Sequence, residues 1–211
     1  MNPDFWHERW NENRIGFHEA DSNPMLSEFF DRLSLKPGGR IFVPLCGKSN
    51  DLHWLSAQGY TVVGIELNQL AVETFFAHEV GTEITEQGAC RLYKSNNIEI
   101  FVGDFFDLSD EMLGPIDAIY DRAALVALPA SMRGRYVDHL ANITKTAPQL
   151  LISFDYDQAL MKGPPFSVPS AEIANLYDGV YRHKLLSSQE ITGKLEEKCQ
   201  GSENAWLLEA I

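Results

Sequence analysis

A short loop contains the residues with the clearest chemical signal. It runs from Pro44 to Asp51 and includes the triplet Gly47-Lys48-Ser49, which also occurs in phosphate-binding loops. Those loops need another glycine five residues before the triplet, and that position is Phe42. Gly47 is the only glycine between Arg40 and Gln58, so the dinucleotide fingerprint with three glycines is absent as well.

A carboxylate follows this loop at a spacing used in nucleoside recognition. Glu66 lies twenty residues after Cys46, where a carboxylate can bind the hydroxyls of a ribose. A loop with few glycines is poorly suited to close on a pyrophosphate, so S-adenosylmethionine fits this pattern better than NAD. The spacing is equally compatible with a surface acid at the end of a strand.

Two more charged residues follow predicted strands. Asp104 lies at the carboxyl edge of the sheet, where its carboxylate could accept a hydrogen bond from the amino group of adenine while Phe105 covers the ring. The alternative, favoured for Asp104 taken alone, is the N-cap of a short helical turn. Arg122 either faces a ligand cleft or forms a structural ion pair with Asp121.

The first residues of the chain are rich in aromatic side chains. Trp6 and Trp10 are four residues apart and share one face of a helix. Such a stripe packs a helix on the core, or it covers the strand ends as a lid over a ligand. The six histidines show no metal-binding spacing, and no G-x-S-x-G hydrolase motif occurs, so we predict no metal site.

The candidate residues follow apolar segments that alternate with helix-like segments. This alternation predicts an α/β fold with a doubly wound, mostly parallel sheet of seven strands. The predicted strands are Arg40–Leu45, Thr61–Leu67, Ile98–Val102, Ile116–Asp121, Leu150–Phe154, Val180–Leu186 and Ala205–Ala210. The predicted helices lie near Asp51–Gln58, Gln69–Glu79, Pro129–Lys145 and Ser170–Tyr177. Gly81–Lys94 is predicted as a hairpin or loop, and Tyr156–Pro169 as a Pro-rich loop beside the site.

Length and charge restrict the classes of protein. The 211 residues predict a single domain, 1–211, with 1–25 as an N-terminal lid segment. A net charge of −13 disfavours nucleic acid and anionic membranes as partners. No apolar run reaches 18 residues, and the charged N-terminus does not resemble a signal peptide. Three widely spaced cysteines indicate a reduced, cytoplasmic protein, which we expect to be a monomer.

Seven motifs carry a family resemblance. FWHERW, IGFH, VPLCGKSNDL, VVGIELN, GDFFDL, YDRAALVALP and GPPFSVP occur in this order. Together they resemble the thiopurine S-methyltransferase family, in particular its bacterial branch, from Phe5 to about Tyr181. The resemblance implies the Rossmann-like fold of class I S-adenosylmethionine-dependent methyltransferases and methyl transfer to a thiol.

The resemblance also implies roles for individual residues. It places Phe17 over the substrate. We also expect Arg122, a positive charge at the end of a predicted strand, to contact the substrate and to be the catalytic group. The implied cofactor contacts are Trp6, Trp10, Leu45, Gly47, Glu66, Asp104, Phe105 and Arg122. The implied cofactor is S-adenosyl-L-methionine, the product is S-adenosyl-L-homocysteine, and the acceptor is an aromatic thiol or a selenium or tellurium compound. Animal members carry a second arginine near the substrate, and this chain has none after Arg182.

A thiol acceptor suits a sequence without an evident catalytic base, because aromatic thiolates form near neutral pH. In the transition state the thiolate and sulfonium charges cancel, so a closed apolar site would favour it. Three other functions are considered: a halide- or thiol-type methyltransferase of the same fold, a nicotinamide dehydrogenase, and a non-enzymatic binding module for adenosyl ligands. The glycine-poor first loop speaks against the dehydrogenase.

Overall fold

The computed structural model describes residues 3–16 and 18–211, so the substrate role predicted for Phe17 lies outside the described residues. Strands and helices alternate along the chain. The strands are β1 Arg40–Val43, β2 Thr61–Glu66, β3 Glu83–Gln87, β4 Cys90–Ser95, β5 Ile98–Val102, β6 Ala118–Arg122, β7 Gln149–Tyr156, β8 Tyr181–Glu190 and β9 Gly201–Ala210. The helices are α1 Pro3–Asn11, α2 Pro24–Phe29, α3 Asn50–Ala57, α4 Gln69–Phe75, α5 Asp110–Leu113, α6 Ala130–Ile143 and α7 Ser170–Tyr177.

All strands of the described chain join one sheet, in the order β3-β4-β5-β2-β1-β6-β7-β9-β8. The central strands β5-β2-β1-β6-β7 pair in parallel, and the outer pairings are antiparallel. The sheet has two strands more than the seven expected. The predicted hairpin or loop at 81–94 forms the hairpin β3–β4, which pairs with β5 and extends the edge.

Helices cover both faces of the sheet, as the doubly wound prediction requires. Phe42, in the middle of β1, packs in the apolar cluster that contains residues of α6 and α7. Its neighbours Ile41 and Val43 pack in the opposite cluster, with residues of α2, α3 and α4. Successive side chains of a strand point to opposite faces of the sheet. Because helices bury both faces, the central strands carry apolar side chains on both of them.

The sheet order reverses between β1 and β6, which are neighbours although four strands separate them along the chain. In open α/β sheets, ligands bind outside the carboxyl ends of the strands at such a switch point. The loop after β1 and the last residue of β6, Arg122, therefore lie at this position.

Two further features concern the predicted class of protein. Within residues 3–16 and 18–211, no helix combines the length and the apolar character needed to cross a bilayer. Cys46, Cys90 and Cys199 are buried and unpaired.

Candidate functional site

The turn after β1 has an unusual backbone. The prediction extended this strand to Leu45, but it ends at Val43, because Leu45 and Gly47 adopt the left-handed conformation with φ of 46° and 55°. A side chain on Gly47 would also place its Cβ 3.1 Å from Cζ2 of Trp10. Both the backbone and the close approach of Trp10 therefore require glycine here.

Glu66, the last residue of β2, is held by this turn. Its Oε2 accepts a hydrogen bond from the Gly47 amide at 2.9 Å, and its Oε1 accepts one from the Asn68 amide at 2.8 Å. The side chain is buried, and this burial raises the pKa of Glu66 to about 7 despite the amides that favour the charged form. Each oxygen still has a lone pair, so the carboxylate can accept further hydrogen bonds.

Helix α1 lies across the ends of β1 and β2. Trp10 is buried against Gly47, and Trp6 is half-buried. His7 Nδ1 lies 3.0 Å from the Nδ2 atom of Asn68, the residue that caps α4. The aromatic stripe predicted for this segment therefore packs on the turns that carry Gly47 and Glu66.

A cavity of about 240 Å³ is lined by Ile65 and Leu67, the sequence neighbours of Glu66, but not by Glu66 itself. Four of the predicted cofactor contacts line it, namely Trp6, Leu45, Asp104 and Phe105. Asp104 Oδ1 accepts a hydrogen bond from the Phe106 amide at 2.9 Å and so caps a short 3₁₀ turn. The N-cap expected as the alternative is thus present, and the exposed carboxylate also lines the cavity, so the cap does not remove Asp104 from the candidate site.

Other walls of this cavity were not predicted from the sequence. Met132 and Tyr136 line it from one face of α6, and Arg135 lies at its rim with its guanidinium carbon 3.8 Å from the centre of the Phe106 ring. The spacing of four residues between Met132 and Tyr136 is the signal that would have identified this face. The remaining unpredicted lining residues are Pro3, Ile65, Leu67, Gly103, Phe106 and Leu128.

Asp121 and Arg122 do not form the ion pair considered as the structural alternative. Neighbouring strand residues point to opposite faces, and the two side chains have different partners. Asp121 is fully buried and accepts hydrogen bonds from the Tyr136 hydroxyl at 2.7 Å and the Leu125 amide at 3.1 Å. Its burial raises its pKa to about 6.

Arg122 pairs instead with the segment that follows α1. Its Nη2 lies 2.8 Å from Oε1 of Glu19; the Arg122 side chain is 14% exposed and that of Glu19 is 53% exposed. Although burial alone would lower the pKa of Arg122, neighbouring acidic groups raise it overall, namely Tyr120, Glu19, Asp51 and Glu203. Glu19 had no role in the sequence prediction.

The start of α3 fastens the same N-terminal segment. The Asn50 side-chain amide donates to the carbonyl oxygens of Glu19 at 3.1 Å and Ala20 at 2.7 Å. Buried Asp51 accepts hydrogen bonds from the Asn23 amide at 2.7 Å and the Tyr120 hydroxyl at 3.1 Å. Residues 19–23 are therefore held at the switch point by the element that follows the glycine turn.

The Pro-rich segment 156–169 is attached to the loop after β6. The Phe166 amide donates to the Val126 carbonyl oxygen at 2.6 Å, and Tyr156 donates its hydroxyl to the Pro165 carbonyl oxygen at 2.6 Å. A second cavity of about 380 Å³ lies behind it, and none of the predicted site residues lines that cavity. Its buried Arg133 is already paired with Glu172 at 2.7 Å, so we place the candidate site at the smaller cavity.

The predicted site residues thus form three groups in the described chain, and only the first lines the cavity. Trp6, Leu45, Asp104 and Phe105 line the cavity, Trp10 and Glu66 contact Gly47, and Arg122 pairs with Glu19. The Gly47 amide points at Glu66, so Gly47 shapes the site. No cluster of three or more potential metal ligands occurs among residues 3–16 and 18–211.

Known proteins share both the sequence and the fold. The chain matches the family Thiopurine S-methyltransferase (TPMT) over residues 1–209. It is 50% identical over 212 residues to the thiopurine S-methyltransferase of Xanthobacter autotrophicus, with 99% of each chain covered. It is 46% identical over 215 residues to that of Acinetobacter baylyi, with 100% of this chain and 99% of the relative covered.

Two solved structures show the same fold at low identity. One is 1,6-didemethyltoxoflavin-N1-methyltransferase of Burkholderia thailandensis with bound 1,6-didemethyltoxoflavin and S-adenosylhomocysteine (TM-score 0.68, 12% identity, 99% of this chain and 87% of that chain covered). The other is magnesium protoporphyrin IX methyltransferase of Synechocystis with bound SAM (TM-score 0.65, 12% identity, 100% and 98% covered). The fold is therefore that of Rossmann-like methyltransferases, and on its sequence the chain belongs to the thiopurine S-methyltransferase family.

Proposed function

We propose that this chain methylates the sulfur of small aromatic or heterocyclic thiols, with S-adenosyl-L-methionine as the methyl donor. The family is one of methyltransferases, and relatives at 43–50% identity are named thiopurine S-methyltransferase. The observation that carries the proposal is the aromatic cavity at the carboxyl ends of the central strands, lined by both sequence neighbours of the buried Glu66.

The chemistry of the cavity fits an adenosyl group. Phe105 and Leu45 provide apolar walls for a purine ring. The second carboxylate oxygen of Asp104 can accept a hydrogen bond from the amino group of adenine. In this proposal Glu66 accepts hydrogen bonds from the hydroxyls of a ribose, and the two amides that align its carboxylate support this role. Trp6 and Trp10 cover these groups, so residues 1–25 serve as the lid of one methyltransferase domain in this proposal.

Arg122 faces the acceptor in this proposal. When bound, the cofactor supplies a methyl group activated on a sulfonium. The chain then has to align the acceptor sulfur with that methyl, exclude water, and favour loss of the thiol proton to solvent. Arg122 stays protonated and therefore cannot be a base, but its charge stabilises the thiolate.

The proposal extends to the surroundings of the enzyme. A net charge of −13 supports an enzyme without nucleic-acid or membrane partners, and three unpaired cysteines fit a cytoplasmic location. We further propose a monomer, and we include selenium and tellurium compounds among the acceptors because their anions, like thiolates, are soft nucleophiles.

A transfer assay tests this function. The purified chain is incubated with methyl-labelled S-adenosyl-L-methionine and either thiophenol or phenol, which differ only in the nucleophilic atom. We expect labelled methyl phenyl sulfide and equimolar S-adenosyl-L-homocysteine with thiophenol, and no product with phenol. Binding of the donor without transfer to thiophenol or to any of a panel of aromatic and heterocyclic thiols would instead identify a binding module. Equal transfer to phenol would assign another acceptor class.

A further inference from the structure

Arg122 lies among several charged side chains. His18, next to Glu19, interacts electrostatically with three cations, namely Lys48, Arg122 and Lys194. Arg122 in turn interacts with three carboxyl groups, those of Glu19, Asp51 and Glu203. Three carboxyl groups therefore act on the charge of Arg122.

Glu19 is the exposed member of this group, whereas Glu203 is partly buried. The Asp51 carboxylate is buried and engaged by the Asn23 amide and the Tyr120 hydroxyl. Glu19, in contrast, is more than half exposed, and it lies on the outer side of an arginine that is 14% exposed. An anionic group approaching Arg122 from solvent therefore encounters the Glu19 carboxylate first.

The position of Glu19 is determined by its backbone. The Asn50 side chain donates to the carbonyl oxygens of Glu19 and Ala20, so the segment is held although the side chain faces solvent. A carboxylate fixed beside a guanidinium repels a second carboxylate and competes with it for the same donors.

We propose that Glu19 determines acceptor selectivity by charge: it occupies Arg122 with a carboxylate of the chain itself, and the site therefore selects thiols without a further negative charge. This inference rests on the proposed thiol methyltransferase function. It names the acceptor class as aromatic thiols that lack a carboxylate, and it makes Glu19 a specificity-determining residue.

The test compares two acceptors of nearly the same shape, 4-mercaptobenzamide and 4-mercaptobenzoate. Both are assayed above the pKa of their thiols, so that each reacts as a thiolate and only the carboxylate differs. For Glu19→Gln, we expect kcat/KM for the benzoate, divided by that for the benzamide, to rise about 3- to 10-fold over wild type. Added salt should reduce this rise because it screens the charges.

Three further measurements distinguish charge from packing. Glu19→Ala should show the same rise as Glu19→Gln, since both lack the charge. Glu12→Gln is the matched control, because Glu12 is 58% exposed in the same segment but pairs with Arg14, and its ratio should stay at the wild-type value. In an Arg122→Gln background, Glu19→Gln should raise the benzoate-to-benzamide ratio of kcat/KM by less, because the cation that the benzoate would contact is gone.

The outcomes separate this inference from the function on which it rests. A ratio that is unchanged in both Glu19 variants, with the benzamide still methylated, would show that Glu19 only fastens the N-terminal segment. If the wild-type protein methylates neither acceptor, the result contradicts the proposed thiol methyltransferase function rather than the role of Glu19 alone. A similar rise in Glu12→Gln would assign the selectivity to the general charge of the segment.

Discussion

At the scale of single residues, Glu66 combines deep burial with a proposed role as a hydrogen-bond acceptor. Its pKa is raised to about 7, so a part of the free protein carries a protonated, neutral Glu66 near neutral pH. Ribose hydroxyls donate to a carboxylate, so ligand binding favours the ionised form and lowers its pKa. Binding of the cofactor therefore competes with protonation of Glu66.

The consequence is a pH-dependent affinity. As pH falls below about 7, the affinity for S-adenosyl-L-homocysteine should decrease, approaching tenfold per pH unit, because a proton must leave before the ligand binds. Calorimetric titrations at pH 5.5–8, in buffers that differ in ionisation enthalpy, measure both the affinity and the released proton.

Glu66→Gln provides the control for this prediction. The variant should bind about 10- to 150-fold more weakly at pH 8, because it loses a charge-assisted hydrogen bond. The pH dependence below 7 should disappear with the ionisable group. Wild-type affinity that stays constant from pH 5.5 to 8 would remove Glu66 from the ribose contact.

Arg122 leads to a prediction about turnover. Its charge should lower the pKa of the bound thiol, so Arg122→Ala should reduce kcat/KM about tenfold at pH values below the thiol pKa, for a shift of about one pKa unit. The defect should shrink above the thiol pKa, where the thiolate forms unaided. A pH–rate profile with one thiol of known pKa measures this, and Arg122→Lys should retain part of the effect.

A defect of Arg122→Ala that is the same at every pH would assign Arg122 to cofactor binding or to the attachment of Glu19. The affinity for S-adenosyl-L-homocysteine, measured on the same variant, separates these two roles. Only the loss of cofactor binding would lower it.

At the scale of elements, helix α1 depends on its contacts. It has nine residues, which is too short for an isolated helix to be stable in water. Its attachments are Trp10 against Gly47 and the contact of His7 with Asn68, both on turns that surround the proposed cofactor. A ligand that orders those turns should also stabilise the helix.

We therefore expect amide hydrogen exchange over residues 3–11 to slow when S-adenosyl-L-homocysteine binds. Helix α7 is the internal control, because its eight residues lie outside the lining of the cofactor cavity and their exchange should change little. Trp6→Ala should reduce the protection of α1 on binding. Equal, strong protection of α1 with and without ligand would support a permanently packed stripe and contradict the lid.

At the scale of the whole molecule, two buried carboxyl groups link stability to pH. The pKa of Asp121 is raised to about 6 and that of Glu66 to about 7, in both cases chiefly by burial. The folded chain therefore retains protons that the unfolded chain has lost between about pH 4 and pH 7. Stability consequently falls as pH rises through this window.

Each group should lower the free energy of unfolding by about 3 kcal/mol between pH 4 and pH 7, since one pKa unit corresponds to about 1.4 kcal/mol. Urea unfolding at a series of pH values, without ligand, measures this slope. Asp121→Asn should flatten the dependence of unfolding free energy on pH between pH 4 and 6. Asparagine cannot titrate, but it can still accept the hydrogen bond from the Leu125 amide. A wild-type stability that rises steadily from pH 4 to 7 would contradict the assignment.

The alternation of strands and longer helices followed from the sequence, whereas the short helices α2 and α5 were not predicted. β5 and α7 have the predicted bounds, because a buried strand and a short amphipathic helix each leave a local pattern of apolar residues. The end of β1 was placed two residues too late, since Leu45 is apolar and only its left-handed backbone ends the strand. The hairpin β3–β4 has exposed or part-polar strands, so its addition to the sheet edge had no apolar signature.

The sequence by itself determined the fold class, the family, and the identity of most candidate cofactor residues. Glu66, Asp104 and Phe105 lie at or after the ends of strands, and Trp6 shares a helix face with Trp10, so local patterns indicated them. The role of Leu45 came only from the family resemblance. The tertiary structure alone decided the partners: Glu66 with Gly47, Asp121 with Tyr136, and Arg122 with Glu19. These pairs are separated by 19, 15 and 103 residues, and only the crossing of the chain at the switch point brings Arg122 and Glu19 together. The partner of a side chain depends on long-range packing, and neither the periodicity nor the local spacing of residues predicts that partner.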